Sequence, residues 1–204
     1  MKNKTSPLEI RIHGVGGTVV TFIQPDAALA DRIFKSVKPA RLFAANKVVI
    51  AGTYSLTAFV PARLTRIDFI AEGVACWKFP AGIFDLIELS EDEFREHAHR
   101  GDPEHAETRD QPRVSGDLHV GFLEIEMVGG QHVFLGLESL VELPAERLKR
   151  VNFLLSAPSL HFRLRQGGIG VLNLGNLARF TAYPGPSQAP ADAWPAHHKK
   201  GLTT

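Results

Sequence analysis

The chain has 204 residues, of which 44% are hydrophobic and 22% are charged, and it contains one cysteine, Cys76. This composition is typical of a globular protein with an ordinary core, and a lone cysteine excludes an intramolecular disulfide and fits a reducing compartment. Glu9 and Arg11 interrupt the apolar run that a signal peptide needs, and no stretch approaches the roughly 18 uncharged apolar residues of a transmembrane helix. We therefore expect a cytoplasmic protein that does not enter a membrane.

The net charge of +1 conceals an uneven distribution of charge along the chain. Residues 1–73 contain ten basic and five acidic side chains, residues 74–117 contain five and eleven, and residues 118–204 contain eight and six. An acidic insert of net −6 therefore separates two basic segments of net +5 and +2. Such an asymmetry predicts attraction between the insert and the segments on either side of it.

Apolar alternation in residues 1–73 predicts two hairpins and a helix. The predicted elements are strands at 8–13 and 18–24, a helix between Pro25 and Pro39, strands at 47–51 and 54–60, and a strand at 64–71. The glycines between the first two strands, in His13-Gly14-Val15-Gly16-Gly17, fit either a phosphate-binding loop or a hairpin turn. A phosphate loop opens a helix, whereas here a β-like run follows, so we interpret the glycines as a turn.

The acidic insert has a strand and a helix of its own. Residues 83–89 are predicted as a strand, and Ser90-Glu91-Asp92-Glu93 has the pattern of a capping box that begins a helix running to about His99. Residues 100–117 are polar and are predicted as a loop. Because its charge is opposite to that of the first segment, we expect the insert helix to lie against the basic face of the first predicted helix.

Residues 118–183 repeat the order of elements of the first segment. Val15-Gly16-Gly17 recurs as Val128-Gly129-Gly130, and Leu64-Thr65-Arg66-Ile67 recurs as Leu177-Ala178-Arg179-Phe180, in both cases 113 positions later. A periodic recurrence of this kind indicates an internal repeat.

These elements predict a β-rich α+β fold. Residues 1–73 and 118–183 are expected to form two related β-β-α-β-β-β units, small-barrel or sandwich-like, packed about a pseudo-twofold axis. Residues 74–117 form the acidic strand-helix insert, and residues 184–204, rich in Pro, Gly, Ser and Ala, form a flexible tail. The strand–tight turn–strand endings of the two units are loosely similar to SH3-like or Sm-like small barrels over about 20 residues each, an architecture that carries no function by itself.

Histidine and glutamate residues of the insert are candidates for metal binding. His97, His99 and Glu104 have the spacing H-x-H-x4-E, and neutral imidazole with carboxylate suits zinc or iron. Against this interpretation, His97 and His99 fall at the end of a predicted helix, where residues i and i+2 diverge by about 200°. The alternative is a solvated acidic loop that contains histidines by chance.

Basic side chains of the second unit are candidates for binding an anionic ligand. His161, Arg163 and Arg165 alternate with Leu160, Phe162 and Leu164, so they share one face of a predicted strand. Nucleic acid is not favoured as that ligand, because aromatic residues make up only 8% of the chain and the pI near 8.0 is below the values above about 9 expected of dedicated binders.

The sequence contains no motif that names a reaction. A G-x-S-x-G nucleophile elbow is absent, and Cys76 has an apolar sequence context typical of an inert thiol. We therefore predict a non-enzymatic binding or assembly module that needs no cofactor and forms a homodimer through its exposed sheet edges. The alternative is a metal-dependent enzyme that uses the His/Glu cluster of the insert.

Overall fold

The computed structural model describes residues 7–72, 77–79, 82–98, 114–115, 118–140, 144–185, 190–191 and 193–194. The strands are β1 Leu8–Gly14, β2 Val19–Gln24, β3 Val48–Ala51, β4 Leu56–Phe59, β5 Leu64–Ile70, β6 Ile83–Leu89, β7 Val114–Ser115, β8 Leu118–Met127, β9 His132–Leu140, β10 Ser159–Arg163, β11 Ile169–Asn173 and β12 Leu177–Tyr183. The helices are α1 Ala27–Ser36, α2 Pro39–Leu42, α3 Glu91–Ala98 and α4 Pro144–Ser156, and short 3-10 turns span Pro61–Arg63 and Leu174–Asn176.

These elements differ from the predicted ones in two places. Pro39 was expected to end the first helix, but it also lies in the first turn of the short helix α2. A proline is tolerated there because the N–H groups of the first turn have no partner within the helix. The strand β7 falls within the stretch that we predicted as a loop, and most of that stretch, residues 100–113 and 116–117, lies outside the described residues, as do Cys76 and most of the predicted tail.

Most of the strands form one large mixed sheet. Its order is β12-β8-β9-β6-β10-β11-β5-β1-β2, with β7 paired to β8 and with β3 and β4 forming a separate hairpin. Neighbours in the large sheet are antiparallel except β6 and β10, which are parallel. The protein is therefore β-rich with few helices, as predicted, but over the described residues the sheet does not close into a barrel.

The glycine-rich turns of the β1–β2 and β8–β9 hairpins have the same conformation. Gly16 and Gly17 have φ angles of 95° and 82°, and Gly129 and Gly130 have φ angles of 99° and 83°. The turns also contact each other, because a Cβ atom added to Gly129 would lie 2.8 Å from the backbone nitrogen of Gly16. The hairpin interpretation of these glycines is therefore correct, and no helix follows either of them.

The two halves also share the register of three strands. In the first half β5 pairs with β1 so that Ile12 faces Ile67, and in the second half β12 pairs with β8 so that Ile125 faces Phe180. Both members of the second pair stand 113 positions after those of the first. In both pairings the second residue of the last strand has no partner in the register. This residue is Thr65 of β5 in one half and Ala178 of β12 in the other.

The hairpins that follow the helices differ between the halves. β3–β4 lies apart from the large sheet, whereas β10–β11 is part of it and joins the two halves through the pairing of β11 with β5. On β11, Val171 belongs to the core of the first half and its neighbour Leu172 to the core of the second. Because successive side chains of a strand point to opposite faces, the two cores lie on opposite faces of one sheet.

The helix α3 packs on the second half of the protein. Its capping box is formed, because the backbone N–H of Ser90 donates to the Glu93 carboxylate over 2.8 Å and the Glu93 N–H donates to the Ser90 hydroxyl over 3.2 Å. Phe94, which is 3% exposed, contacts Phe122 of β8 and Phe134 of β9. Our expectation that this helix lies against α1 was wrong, because burial of Phe94 determines its position rather than charge.

Within the described part of the chain, no helix is long and apolar enough to cross a membrane.

The contact between the two glycine turns predicts unequal effects of two neighbouring substitutions. Gly129→Ala and Gly130→Ala both force alanine into a positive-φ conformation, at a cost of about 1–2 kcal/mol. Only Gly129→Ala also drives a Cβ atom into the backbone of Gly16, since nothing lies within 4 Å of a Cβ at Gly130. We expect Gly129→Ala to lower the free energy of unfolding by at least about 1 kcal/mol more than Gly130→Ala in urea titrations. Equal losses would show that the turns do not touch.

Candidate functional site

An apolar cleft with a volume of about 470 Å³ opens between β2 and the β3–β4 hairpin. Its lining includes Ile10 and Ile12 of β1, Phe22 of β2, Val48 and Ile50 of β3, and Phe69 of β5. The volume falls within the range of about 300–1,000 Å³ that is typical of ligand pockets. The cleft is thus a continuation of the first core that the protein's described residues leave unfilled.

The polar groups of the cleft are few and already bonded. Among its lining side chains, Gln24 accepts a hydrogen bond from the Asp26 N–H over 3.0 Å, and Ser36 donates to the Ile33 carbonyl over 2.7 Å. None of the described lining residues is Asp, Glu, His, Cys, Lys or Arg. The described lining is therefore mainly apolar, and its one hydroxyl, that of Ser36, has no acid or base beside it among the described lining residues.

One wall of the cleft is an unpaired strand edge. In the described residues β2 pairs with β1 alone and ends the large sheet. The Gly14 N–H donates to the Thr18 carbonyl, so the alternating residues Val20 and Phe22 also direct their backbone groups towards β1. Thr21 and Ile23 consequently direct their N–H and C=O groups towards the open side, where β3 stands beyond the cleft.

The edge strand β2 is also unusually apolar on its exposed surface. Val19, Val20 and Ile23 are 51%, 42% and 65% exposed, respectively. Edge strands are normally protected by charged side chains, by proline or by a covering element, because their free backbone groups invite pairing. None of the described residues of β2 is charged or proline, so the side chains of this strand provide none of that protection.

A buried network of charged groups lies on the opposite face of the same strands. The Asp68 carboxylate, on β5 and 1% exposed, accepts hydrogen bonds from His13 Nε2 over 2.9 Å and from Arg66 Nε over 2.6 Å. Arg66 also contacts Glu88 of β6 over 2.7 Å, and its guanidinium lies 5.0 Å from the centre of the Phe162 ring. Because β10 and β11 separate β5 from β6, this ion pair bridges two intervening strands.

Burial and charge act in opposite directions on the pKa values of this network. Burial alone would raise the pKa of Asp68, but the hydrogen bond from His13 and the positive charge of Arg66 outweigh it and hold that pKa below its ordinary value of 3.8. For Arg66, burial would lower the pKa, but Asp68 and Glu88 outweigh it and raise the pKa above its already high ordinary value. Both groups are therefore ionised over the whole physiological pH range.

The His13–Asp68 pair resembles part of a catalytic dyad, but its bonds serve the structure. Both oxygens of Asp68 are engaged, one by His13 and the other by Arg66. The hydroxyl of Thr65, next to Arg66 in the chain, bonds to the Gln131 side chain over 2.9 Å and so links the first half to the β8–β9 turn. The network ties β1, β5 and β6 together. The sequence-based predictions did not include this network, although Arg66 and Asp68 alternate with apolar residues on β5, which was an available signal.

The three residues predicted to bind an anionic ligand are close together, but acidic side chains of the insert already form ion pairs with two of them. Arg163 donates to the Asp85 carboxylate over 2.7 Å, and Arg165 contacts Glu93 over 3.2 Å. The His161 ring stacks on Phe79 with the ring centres 5.1 Å apart. Burial lowers the pKa of His161, and hydrogen bonds to the backbone of residues 77 and 78 only partly oppose this. The anion-binding role of these residues stays a prediction, with most of their positive charge already paired.

The predicted metal ligands are only partly described. The half-buried His97 ring, in the last turn of α3, stacks on Phe122 with the ring centres 6.0 Å apart. His99 and Glu104 lie outside the described residues. Within the described ranges no group of three His, Cys, Asp or Glu side chains has an arrangement that could hold a metal ion. Binding of zinc or iron by the insert therefore stays a prediction.

Comparisons with known proteins do not assign a family. No protein-family model, no curated protein and no solved structure matches this chain significantly. The function must therefore be inferred from the geometry of the cleft and of the charged network.

The charged network predicts a stability that depends on one aspartate. We expect Asp68→Asn to lower the free energy of unfolding by about 3 kcal/mol at pH 7, because it leaves the buried Arg66 without its nearest counter-charge. The matched variant Asp85→Asn removes a more exposed ion pair, with side-chain exposures of 20% for Asp85 and 47% for Arg163, and should cost under about 1 kcal/mol.

The pH dependence of the two Asp variants follows from the direction of the pKa shift. A carboxyl whose pKa is lower in the folded state stabilises the fold above its unfolded pKa, and this contribution is lost as the pH falls through the folded value. The gap in unfolding free energy between wild type and Asp68→Asn should therefore shrink as the pH is lowered below 3.8. A gap that stays constant down to pH values of about 2 would contradict the assigned role of Asp68.

Proposed function

We propose that this protein is a non-enzymatic binding module whose first half receives an apolar ligand in the cleft between β2 and β3. The observation that carries the proposal is an apolar cleft of about 470 Å³ beside an unpaired strand edge. Burying such surface is favourable by about 25 cal/mol per Å². A ligand that fills the cleft would complete the core of Ile10, Ile12 and Phe69.

The distribution of titratable groups favours binding over catalysis. The described residues of the cleft contain none, and the buried acid and base outside it, Asp68 and His13, already bond to each other. Perturbed titratable groups that converge on a pocket are the usual sign of an active site. The alternative of a metal-dependent enzyme depends on His99 and Glu104, and no observation in the described residues favours it.

The two halves of the chain are, in this proposal, related copies arranged about a pseudo-twofold axis. Their support is the shared offset of 113 in strand register, in the skipped residues of two ladders and in the turn conformation. A backbone bond recurs at the same offset, since the Val15 N–H donates to the Arg63 carbonyl and the Val128 N–H to the Asn176 carbonyl. A rotation that exchanges the copies would also account for their cores lying on opposite faces of the sheet.

Binding in the cleft is tested by filling it. Ile50→Trp should reduce the affinity for a neutral apolar fluorophore, N-phenylnaphthylamine, by about tenfold or more, because the indole would occupy the volume of the ligand. Leu56→Trp places the same side chain on β4 of the same hairpin, at a position that is 73% exposed and outside the lining, and should leave binding unchanged. Fluorescence titration measures both. Equal binding by the two variants would place the fluorophore elsewhere and contradict the proposed function.

Self-association remains part of the proposal as a prediction. Among the described strands β12 ends the large sheet on the side away from the cleft, and pairing or packing of this sheet edge is the route that we expect for a homodimer. Light scattering at high protein concentration should then give twice the monomer mass of 22.4 kDa. A mass that stays at the monomer value would rule this assembly out.

A further inference from the structure

The second half of the protein contains a strand in the place where the first half has its cleft. β6 lies between β9 and β10, antiparallel to β9 and parallel to β10. Its Leu86, 1% exposed, belongs to the same core cluster as Leu123 and Ile125 of β8 and Leu135 of β9. β6 is supplied by the insert, outside the two repeated segments, and it completes the second core.

The place of β6 corresponds to the cleft between β2 and β3. The offset of 113 relates β9 to β2, and the hairpins β10–β11 and β3–β4 each connect a helix to the 3-10 turn before the last strand. The floor of the cleft, Ile10 and Ile12, then corresponds to Leu123 and Ile125, which lie in one core cluster with Leu86. The cleft therefore includes the volume that a residue equivalent to Leu86 would fill.

The backbone groups of the two edges correspond as well. In the second half Phe134 and Gly136 of β9 face Leu89 and Ile87 of β6. Their counterparts at the offset of 113 are Thr21 and Ile23, the residues of β2 whose N–H and C=O groups point towards the open side. The edge of β2 thus offers the same alternating donors and acceptors that β9 uses to bind a strand.

We propose that the cleft is an acceptor for a single β-strand of a partner protein. The strand would have alternating apolar side chains and neighbouring acidic residues, and it would pair antiparallel to β2 as β6 pairs with β9. This inference rests on the proposed binding function and specifies its ligand. Strand addition to a sheet edge derives affinity from main-chain hydrogen bonds and specificity from pockets for alternate side chains.

The occupant is more consistent with another protein than with a segment of this chain. Residues 1–6, 99–113 and 195–204, which lie outside the described part, contain no alternating apolar run. The segment that would correspond to β6 after the second half, residues 196–202, is Ala-His-His-Lys-Lys-Gly-Leu. The sheet edge of a second copy would bring a neighbouring strand with it, whereas the corresponding place in the second half holds the single strand β6. A small apolar molecule would offer no hydrogen-bonding groups to the backbone of Thr21 and Ile23.

Charge complementarity favours an acidic strand. Exposed basic residues stand immediately beside the lining segments of α2 and β3 in the chain, namely Lys38, Arg41 and Lys47. A fourth, Lys35 of α1, already pairs with Asp31 over 2.7 Å. β6, the strand that occupies the equivalent place, carries Asp85 and Glu88 and is followed by the acidic start of α3. In the second half the acidic and apolar strand β6 therefore complements a basic segment. An acidic strand in the cleft would have the same complementarity with the first half.

A peptide with the sequence of β6 and its acidic continuation, residues 82–93, is the natural probe. We expect a fluorescein-labelled peptide of this sequence to bind the full-length protein in anisotropy titrations. N-methylation of the residue equivalent to Ile87, which faces β9 at Gly136, removes one main-chain donor and keeps every side chain. It should weaken binding by about tenfold or more, as should Ile50→Trp in the protein, whereas Leu56→Trp should have no effect.

The outcomes separate the strand proposal from the proposed function. If N-phenylnaphthylamine binds in the cleft but the peptide does not, or if the N-methylated peptide binds equally well, the strand proposal is wrong and an apolar small-molecule site remains. Peptide binding that Ile50→Trp does not weaken would lie outside the cleft and would equally overturn the proposal. If neither fluorophore nor peptide binds in a way that Ile50→Trp affects, both the strand proposal and the binding function are wrong.

Discussion

The requirement that strand edges be paired or covered governs this architecture. Each half forms a three-stranded core sheet, β5-β1-β2 in one and β12-β8-β9 in the other, and in each the last strand of the series presents an edge. In the second half β6 satisfies the edge of β9 and at the same time pairs with β10 through Arg163 and Ile87. That single strand makes the large sheet continuous. The first half has no equivalent in the described residues, and its hairpin β3–β4 stands apart as a consequence.

The buried ion pairs lie near the junction of the two halves, where the core passes from one face of the sheet to the other. Arg66 and Asp68 stand on β5, the strand at which β11 joins the halves, and they face the side of the sheet on which Phe162 and Leu172 lie. Placing a charged pair there has a desolvation cost that an apolar pair would avoid. The long side chain of Arg66 does allow a contact between distant strands, because it extends from Asp68 across Phe162 to Glu88 of β6. The network therefore links the insert strand to the first half, on the face opposite the cleft.

The sequence predicted local structure well and long-range pairing poorly, for physical reasons. Positive-φ glycines and a capping box depend on neighbouring residues, so the turn at Gly16 and the start of α3 at Ser90 could be predicted directly. The position of β6 depends on a parallel pairing with β10 some 76 residues away, between Ile87 and Arg163, and apolar alternation carries no information on which strand lies beside which. The cleft was not predicted for the same reason, because it is present only where β2 has no neighbouring strand on its outer edge.

Charge distribution along the chain has a different meaning once the strand order is known. The acidic insert was expected to neutralise the first basic segment, but its Asp85 and Glu93 pair with Arg163 and Arg165 of the second. These contacts accompany the burial of Leu86 and Phe94, so the acids follow where apolar burial places their strand and helix. Of the basic residues beside the cleft, Lys35 pairs with Asp31 of its own helix over 2.7 Å, and both side chains are exposed. In the described residues one half therefore has the edge of β9 paired by β6, whereas the other has the unpaired edge of β2 beside an apolar cleft.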